Sequence, residues 1–236
     1  MDISTKYKLL THMPLLQGLS GQDLARLEEI HGLEVETIPS SQQPLLNQGD
    51  TCTHLLLVAN GVLRRKHVSQ DGRIRLAANL HSPLAVEPEN LYGLHCHYHN
   101  SYFAETDLQV ISVRKADVGK CLMNVPVFRY NLLNYLSAVA HKQTLLMTPY
   151  PPRTVVGKFL HLLEILCREG DSEISMSVKM TDLALYLEET RLTVSRMLNR
   201  LASQQIIGLA RSTITLRSLN KLRTYLNETD AYAQTK

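Results

Sequence analysis

Arg191 and Arg196 stand five residues apart in "TRLTVSRMLNRL", residues 190–201, with Leu192, Ser195, Asn199 and Arg200 around them. On a helix that spacing separates the two arginines by about 7–8 Å along the axis, roughly two base-pair steps of a duplex. Guanidiniums so placed reach guanine O6 and N7 edges from one helix lying in a major groove. Ser195 and Asn199 fall between them and add short hydrogen-bonding groups. Leu192 projects near the middle of this polar face. A solvated charged helix accounts for the arginines but gives Leu192 nothing to do, whereas a thymine methyl is a natural apolar partner for it.

Several elements must hold that face in place. At about 100° per residue, Val194, Met197, Leu198 and Leu201 fall opposite the arginines and point inward. The preceding "MTDLALYLEE" reads as a short helix with Thr181 as its cap and Leu183, Ala184 and Leu187 inward. A short helix, a tight turn near Glu188–Glu189 and a longer basic helix form the helix-turn-helix pattern. Lys179, Lys158, Arg153, Arg200 and Arg211 are candidates for phosphate contacts beside it, and Thr181 and Lys179 complete the expected DNA face. Around it the pattern predicts a helix over 153–168, a polar loop "REGDSEISMSV", a strand pair after the basic helix and a last helix near 218–227.

Upstream, "TPYPPR" at 148–153 places three prolines among six residues and reads as a stiff hinge. From Pro126 the period is helical: Phe128, Leu132, Leu136, Val139, Gln143 and Leu146 recur at steps of four and three, and Leu133, Ala140 and Met147 broaden the stripe. That seam suits pairing with a second helix, with Gln143 as a polar register mark. An amphipathic helix packed on its own domain fits the same period, and both readings stay open. Residues 35–113 are short apolar runs separated by "NQGD", "NG" and "DG", which suggest a β-sandwich or β-roll with consecutive hairpins over 54–68 and 65–79. Near the start, Ser20 and Asp23 form a capping signature opening a helix with Leu24 and Leu27 on one face.

Composition narrows the partners. The chain has 236 residues, 44% hydrophobic and 20% charged, enough for two modest domains. Its net charge is only +3, so a nucleic-acid footprint must be local. No apolar run approaches a membrane span and the start lacks a signal-peptide pattern. The four cysteines, Cys52, Cys96, Cys121 and Cys167, are far apart, which suits a reducing cytoplasm and argues against a disulfide framework, a zinc ribbon or a cysteine-held iron–sulfur cluster. Within "LHCHYHN", His95, His97 and His99 would share one face of a strand and so offer zinc, copper or haem ligands. Spacing at i, i+2 in a loop is not diagnostic, so no metal site is assigned. No nucleophile–base pair, phosphate loop or metal-hydrolase spacing supports an enzyme.

The tail "MTDLALYLEETRLTVSRMLNRLASQQII…STITL" resembles the DNA-binding domain of the cyclic-AMP receptor / fumarate–nitrate regulator (CRP/FNR) superfamily. Its pattern is D-L-A, a turn, R-E-T-V-S-R and a leucine-rich helix before a β-wing. The resemblance extends over the chain. "MPLLQGLS" resembles the entry motif, "NQGDTCTHLLLVANGVLRR" the β-roll stretch, and 126–147 the dimerisation helix. The "EPENLYG" stretch, residues 87–93, is similar to that of a Bacteroidetes-type subgroup with a degenerate cyclic-nucleotide motif. The implied fold is α+β. It has a cyclic-nucleotide-binding-like β-roll over 1–125, a dimerisation helix over 126–149 and a winged helix-turn-helix DNA-binding domain over 150–236.

By the same resemblance the protein is a cytoplasmic homodimeric transcription regulator on double-stranded DNA, with RNA polymerase as a partner if it activates. An effector in the roll would shift the DNA-binding domains through the proline hinge. Arg191 and Arg196 match the family's guanine-reading arginines, while Leu192 replaces a glutamate that accepts from cytosine, and Glu188 stands where a glycine is common. In the roll, Glu87 takes the place of the ribose-binding carboxylate. Val86 replaces the glycine before it, Pro88 removes a donor, and no lysine or arginine occurs from Leu76 to Val113. Burying a phosphate there without a cation costs several kcal/mol. Cyclic AMP is therefore not expected, and Glu87, Tyr92, Tyr98 and Ser101 are the candidate pocket for another effector. The alternative is a metal- or haem-loaded redox or gas sensor using His95, His97 and His99.

Overall fold

The computed structural model describes residues 3–23, 34–147, 152, 154–168 and 170–234. The chain forms two units: residues 1–65 with 80–143, and residues 66–79 with 144–236.

The first unit is the β-roll. One sheet has the order β1 (Val35–Ile38), β8 (Leu108–Arg114), β3 (His54–Asn60), β6 (Leu84–Val86), with antiparallel pairings throughout. Facing elements are β2 (Pro44–Leu46), β7 (Ser101–Ala104) and the first half of β4 (Val62–Val68). Buried residues of these strands form the core, among them Leu57, Leu63, Tyr102, Val110 and Ile111. The "NG" at 60–61 is not the tip of a hairpin. β3 pairs with β8 and β6, whereas β4 lies in the other sheet, so the chain changes sheets at Gly61. Its φ is 106°, and a Cβ there would sit 2.5 Å from the Asp107 carbonyl oxygen, so only glycine fits this corner.

Helices seal the roll. α1 (Ile3–His12) leads into Met13, Leu15 and Leu16, all buried, and Ser20 and Asp23 exchange the capping bonds their spacing implies. Leu24 and Leu27 of that expected helix lie outside the described residues. α2 (Lys115–Lys120) follows β8, and α3 (Pro126–Leu146) runs for 21 residues. Phe128 and Leu132, at 0% and 5% exposure, point into the roll core, and Leu136 packs against it. These members of the expected dimer seam are therefore core residues, while Tyr130 and Leu133 stand exposed at 67% and 57%. Val139 and Leu146 are half-buried and Gln143 is exposed.

The second unit contains α4 (Val155–Leu166), β9 (Ser172–Ser177), α5 (Met180–Tyr186), α6 (Arg191–Ser203), the wing strands β10 (Gly208–Ala210) and β11 (Thr213–Leu216), and α7 (Leu219–Gln234). Thr154 caps α4 by accepting from the Gly157 N–H at 3.1 Å. The expected polar loop is in part a strand. Ile174 and Met176 of β9 point inward, and β9 pairs with β11 on one side and with β5 (Arg75–His81) on the other. Ile74, Leu76 and Ala78 thus share a core with Phe159, Leu163 and Leu198. Most of the expected proline hinge, 148–151 and 153, lies outside the described residues, and Arg153 with it. No helix among the described residues is long and apolar enough to cross a membrane.

Candidate nucleic-acid interface

α5 and α6 form the helix-turn-helix. Leu183, Ala184 and Leu187 bury the inner face of α5, and Val194, Met197, Leu198 and Leu201 bury that of α6, none more than 5% exposed. The residue before α5 is Lys179, without a side-chain cap bond; Thr181 lies inside the first turn, exposed, and does not cap it. Glu188 takes the left-handed conformation, φ 51°, where related turns favour glycine, and its side chain stays exposed so the strained backbone carries no buried group. Thr190 starts α6 by accepting from the Thr193 N–H at 3.1 Å.

The outer face of α6 presents Arg191, Leu192, Arg196, Asn199 and Arg200 to solvent, with Ser195 half-buried and 3.5 Å from the Asn199 amide. Leu192 is 59% exposed. Among the described residues, no ion pair engages Arg191, Arg196 or Arg200. Lys158 differs: its ammonium lies 2.8 Å from Glu189, so it braces the turn rather than standing ready for phosphate. Lys179 and Arg211 are exposed, Arg211 at the wing tip. Gly208 lets the wing close, since a Cβ there would meet Thr215 Oγ1 at 2.5 Å.

A family profile described as a Crp-like helix-turn-helix domain matches residues 157–225. The chain is 27% identical over 202 residues to a protein of Lacticaseibacillus casei named "Probable transcriptional regulator flp", covering 83% of this chain and 87% of that one. Residues 157–225 therefore form a Crp-like helix-turn-helix domain. The catabolite activator protein of Thermus thermophilus is similar in fold, with a TM-score of 0.50 and 22% identity, covering 89% of this chain and 96% of that one.

The β-roll holds a second polar cluster. Glu87, φ 40° and wholly buried, receives two donors on each oxygen. Asn100 and the Tyr102 hydroxyl (2.9 Å) donate to Oε1; the Asn90 amide (2.6 Å) and the His99 backbone N–H (2.7 Å) donate to Oε2. Arg65 from β4, 1% exposed, donates to the Asn100 side-chain oxygen at 2.7 Å. The cation that 76–113 lacks is supplied from outside that stretch, which the sequence reading missed. Only the inward register of β4, with Leu63 and Arg65 on one face, signalled it.

The other pocket candidates have separate partners. Tyr98 is buried, donates to the His54 carbonyl at 3.3 Å, and has its phenol pushed up by burial. Ser101 Oγ accepts from the Gln48 N–H at 2.9 Å. Tyr92 is 39% exposed, under the Lys115 ammonium 5.3 Å from its ring centre. His95, His97 and His99 are exposed and share no strand; only His97 makes an isolated bridge, to Thr51. Among the described residues, no group of three or more His, Cys, Asp or Glu side chains is placed to hold a metal ion.

Proposed function

We propose that the regulator is a sequence-specific homodimer whose two α6 helices enter successive major grooves of a two-fold symmetric site. The observation that carries this reading is the outer face of α6: two exposed guanidiniums, engaged by no ion pair among the described residues, accompany an exposed leucine on a helix whose opposite face is buried. Arg191 and Arg196 read guanines, and Leu192 meets a thymine methyl. Ser195 and Asn199 add base-edge bonds, while Arg200, Lys179, Arg211 and the Thr181 hydroxyl contact phosphates.

The dimer seam in this reading is the exposed side of α3. Tyr130, Leu133 and Ser137, continued by Met147 at 83% exposure, recur at steps of three, four and ten residues, which keeps them on one stripe. The roll does not take cyclic AMP: the lone pairs of Glu87 already accept internal donors, so no ribose hydroxyl finds an acceptor there. A different effector acts on the roll, and RNA polymerase is the further partner where the regulator activates.

Selection of bound duplexes from a random pool tests the proposal. The expected product is an inverted repeat with half-sites about 10 base pairs apart, each carrying guanines. A pool that stays random, or single unpaired half-sites, would overturn it.

A further inference from the structure

We propose that the hairpin 66–79 is a working part of the DNA-binding unit, a strand lent to it from the middle of the roll sequence, and that DNA binding requires this hairpin to be docked. The proposal goes beyond the reading of α6 and does not depend on which bases that helix recognises.

The register is specific. Arg75 lies opposite Ser177, Leu76 opposite Met176 and Ala77 opposite Ser175, with a shift before Asn79 reaches Ser172. Ile74, Leu76 and Ala78 are at most 1% exposed, in the same core that supports Val194, Met197, Leu198 and Leu201 of α6. Without the hairpin, β9 would be an edge strand with unpaired backbone groups, and the core beneath the recognition helix would open to water.

Polar contacts fix both ends of the lent segment. At one end the Asn79 amide donates to Glu173 at 2.7 Å, and Ser172 donates to the Asn79 carbonyl at 3.1 Å. At the turn, the Tyr186 hydroxyl of α5 donates to Asp71, which also accepts from Ser69 at 2.6 Å. The same strands continue without a loop into the roll. Arg65, bonded to the Glu87 cluster through Asn100, directly precedes Lys66, and core residue Leu80 directly follows Asn79.

Full-length protein tests this in three forms. Leu76→Asp is expected to weaken DNA binding by about tenfold or more and to raise amide exchange in β9 and β11, with β3 and β8 still protected. The Asn79→Ala/Tyr186→Phe double variant keeps the core, so it reports if Leu76→Asp unfolds; it should weaken binding by about threefold or more. An Ala77→Cys/Ser175→Cys pair should form a disulfide in DNA-free protein and keep affinity within about twofold. Wild-type affinity with unchanged β9 protection in the first two variants would overturn the proposal. So would failure of the engineered cysteines to cross-link. Arg191→Ala serves as the control: it should weaken binding without altering β9 exchange, which separates failure of the hairpin from failure of the α6 reading.

Discussion

Tyr102 donates its hydroxyl to Glu87 Oε1 at 2.9 Å, and both side chains are withdrawn from solvent. With Asn90, Asn100 and the His99 N–H on the same carboxylate, Glu87 acts as the anion of its own cradle. Glu87→Ala removes the shared acceptor and leaves those buried donors unpaired. The roll should lose about 3–5 kcal/mol in denaturant unfolding. Formate or acetate, small enough to enter the vacated space, should restore part of that loss where chloride does not. Unfolding curves that superpose on wild type would remove Glu87 from this role.

The two arginines of α6 make a separable prediction. Arg191→Ala and Arg196→Ala should each relax preference at one guanine of the half-site, at a cost of about 1–3 kcal/mol. Leu192→Glu replaces a methyl partner with an acceptor, so preference at its base should move from thymine toward cytosine. Binding selections on the three variants measure this directly. Unchanged logos for both arginine variants would mean that α6 does not read bases.

The two faces of α6 were legible in the sequence because helical period alone separates the buried Val194, Met197, Leu198 and Leu201 from the exposed Arg191, Leu192 and Arg196. The roll was legible as alternating strands, but not its connections. "NG" at 60–61 has the composition of a hairpin turn, and only the close approach of Asp107 reveals a change of sheet. Arg65 was invisible as a partner of the Glu87 site because Asn100 lies 35 residues away in the chain. "SEISMS" read as a loop because half of it is serine and its pairing strand comes from residues 75–79, nearly a hundred positions earlier. Non-local pairing leaves no trace in a local period.

The helix α3 period was ambiguous for a physical reason: it serves two faces. Phe128 and Leu132 close the roll, while Leu133 stands exposed on the stripe that the proposed dimer seam uses. Leu133→Glu should set like charges against each other across the seam and shift the protein to monomer in sedimentation or light scattering at micromolar concentration. Because Leu133 is 57% exposed, the monomer should stay folded, with an unfolding midpoint that no longer rises with protein concentration as a dimer's does. A stable dimer in that variant would place the interface elsewhere.

The hairpin turn carries a pH signature. Hydrogen bonds from Ser69, Tyr186 and the Arg73 N–H, with the nearby Arg73 charge, hold the Asp71 carboxyl down at about 2. An unfolded aspartate titrates near pH 3.9, roughly two pH units higher. The contact therefore contributes its full stability above about pH 4 and loses it as pH falls through about 2. At the other end, the bond to Asp71 pushes the Tyr186 phenol up, so its contribution holds below about pH 10, and is lost as the phenol ionises in strong alkali. The stability difference between wild type and Asp71→Asn should thus be flat across neutral pH and shrink toward both extremes. Unfolding midpoints of the two proteins, measured at fixed ionic strength across that range, give the difference. A constant difference down to the acid end would show that Asp71 does not anchor the turn through its charge.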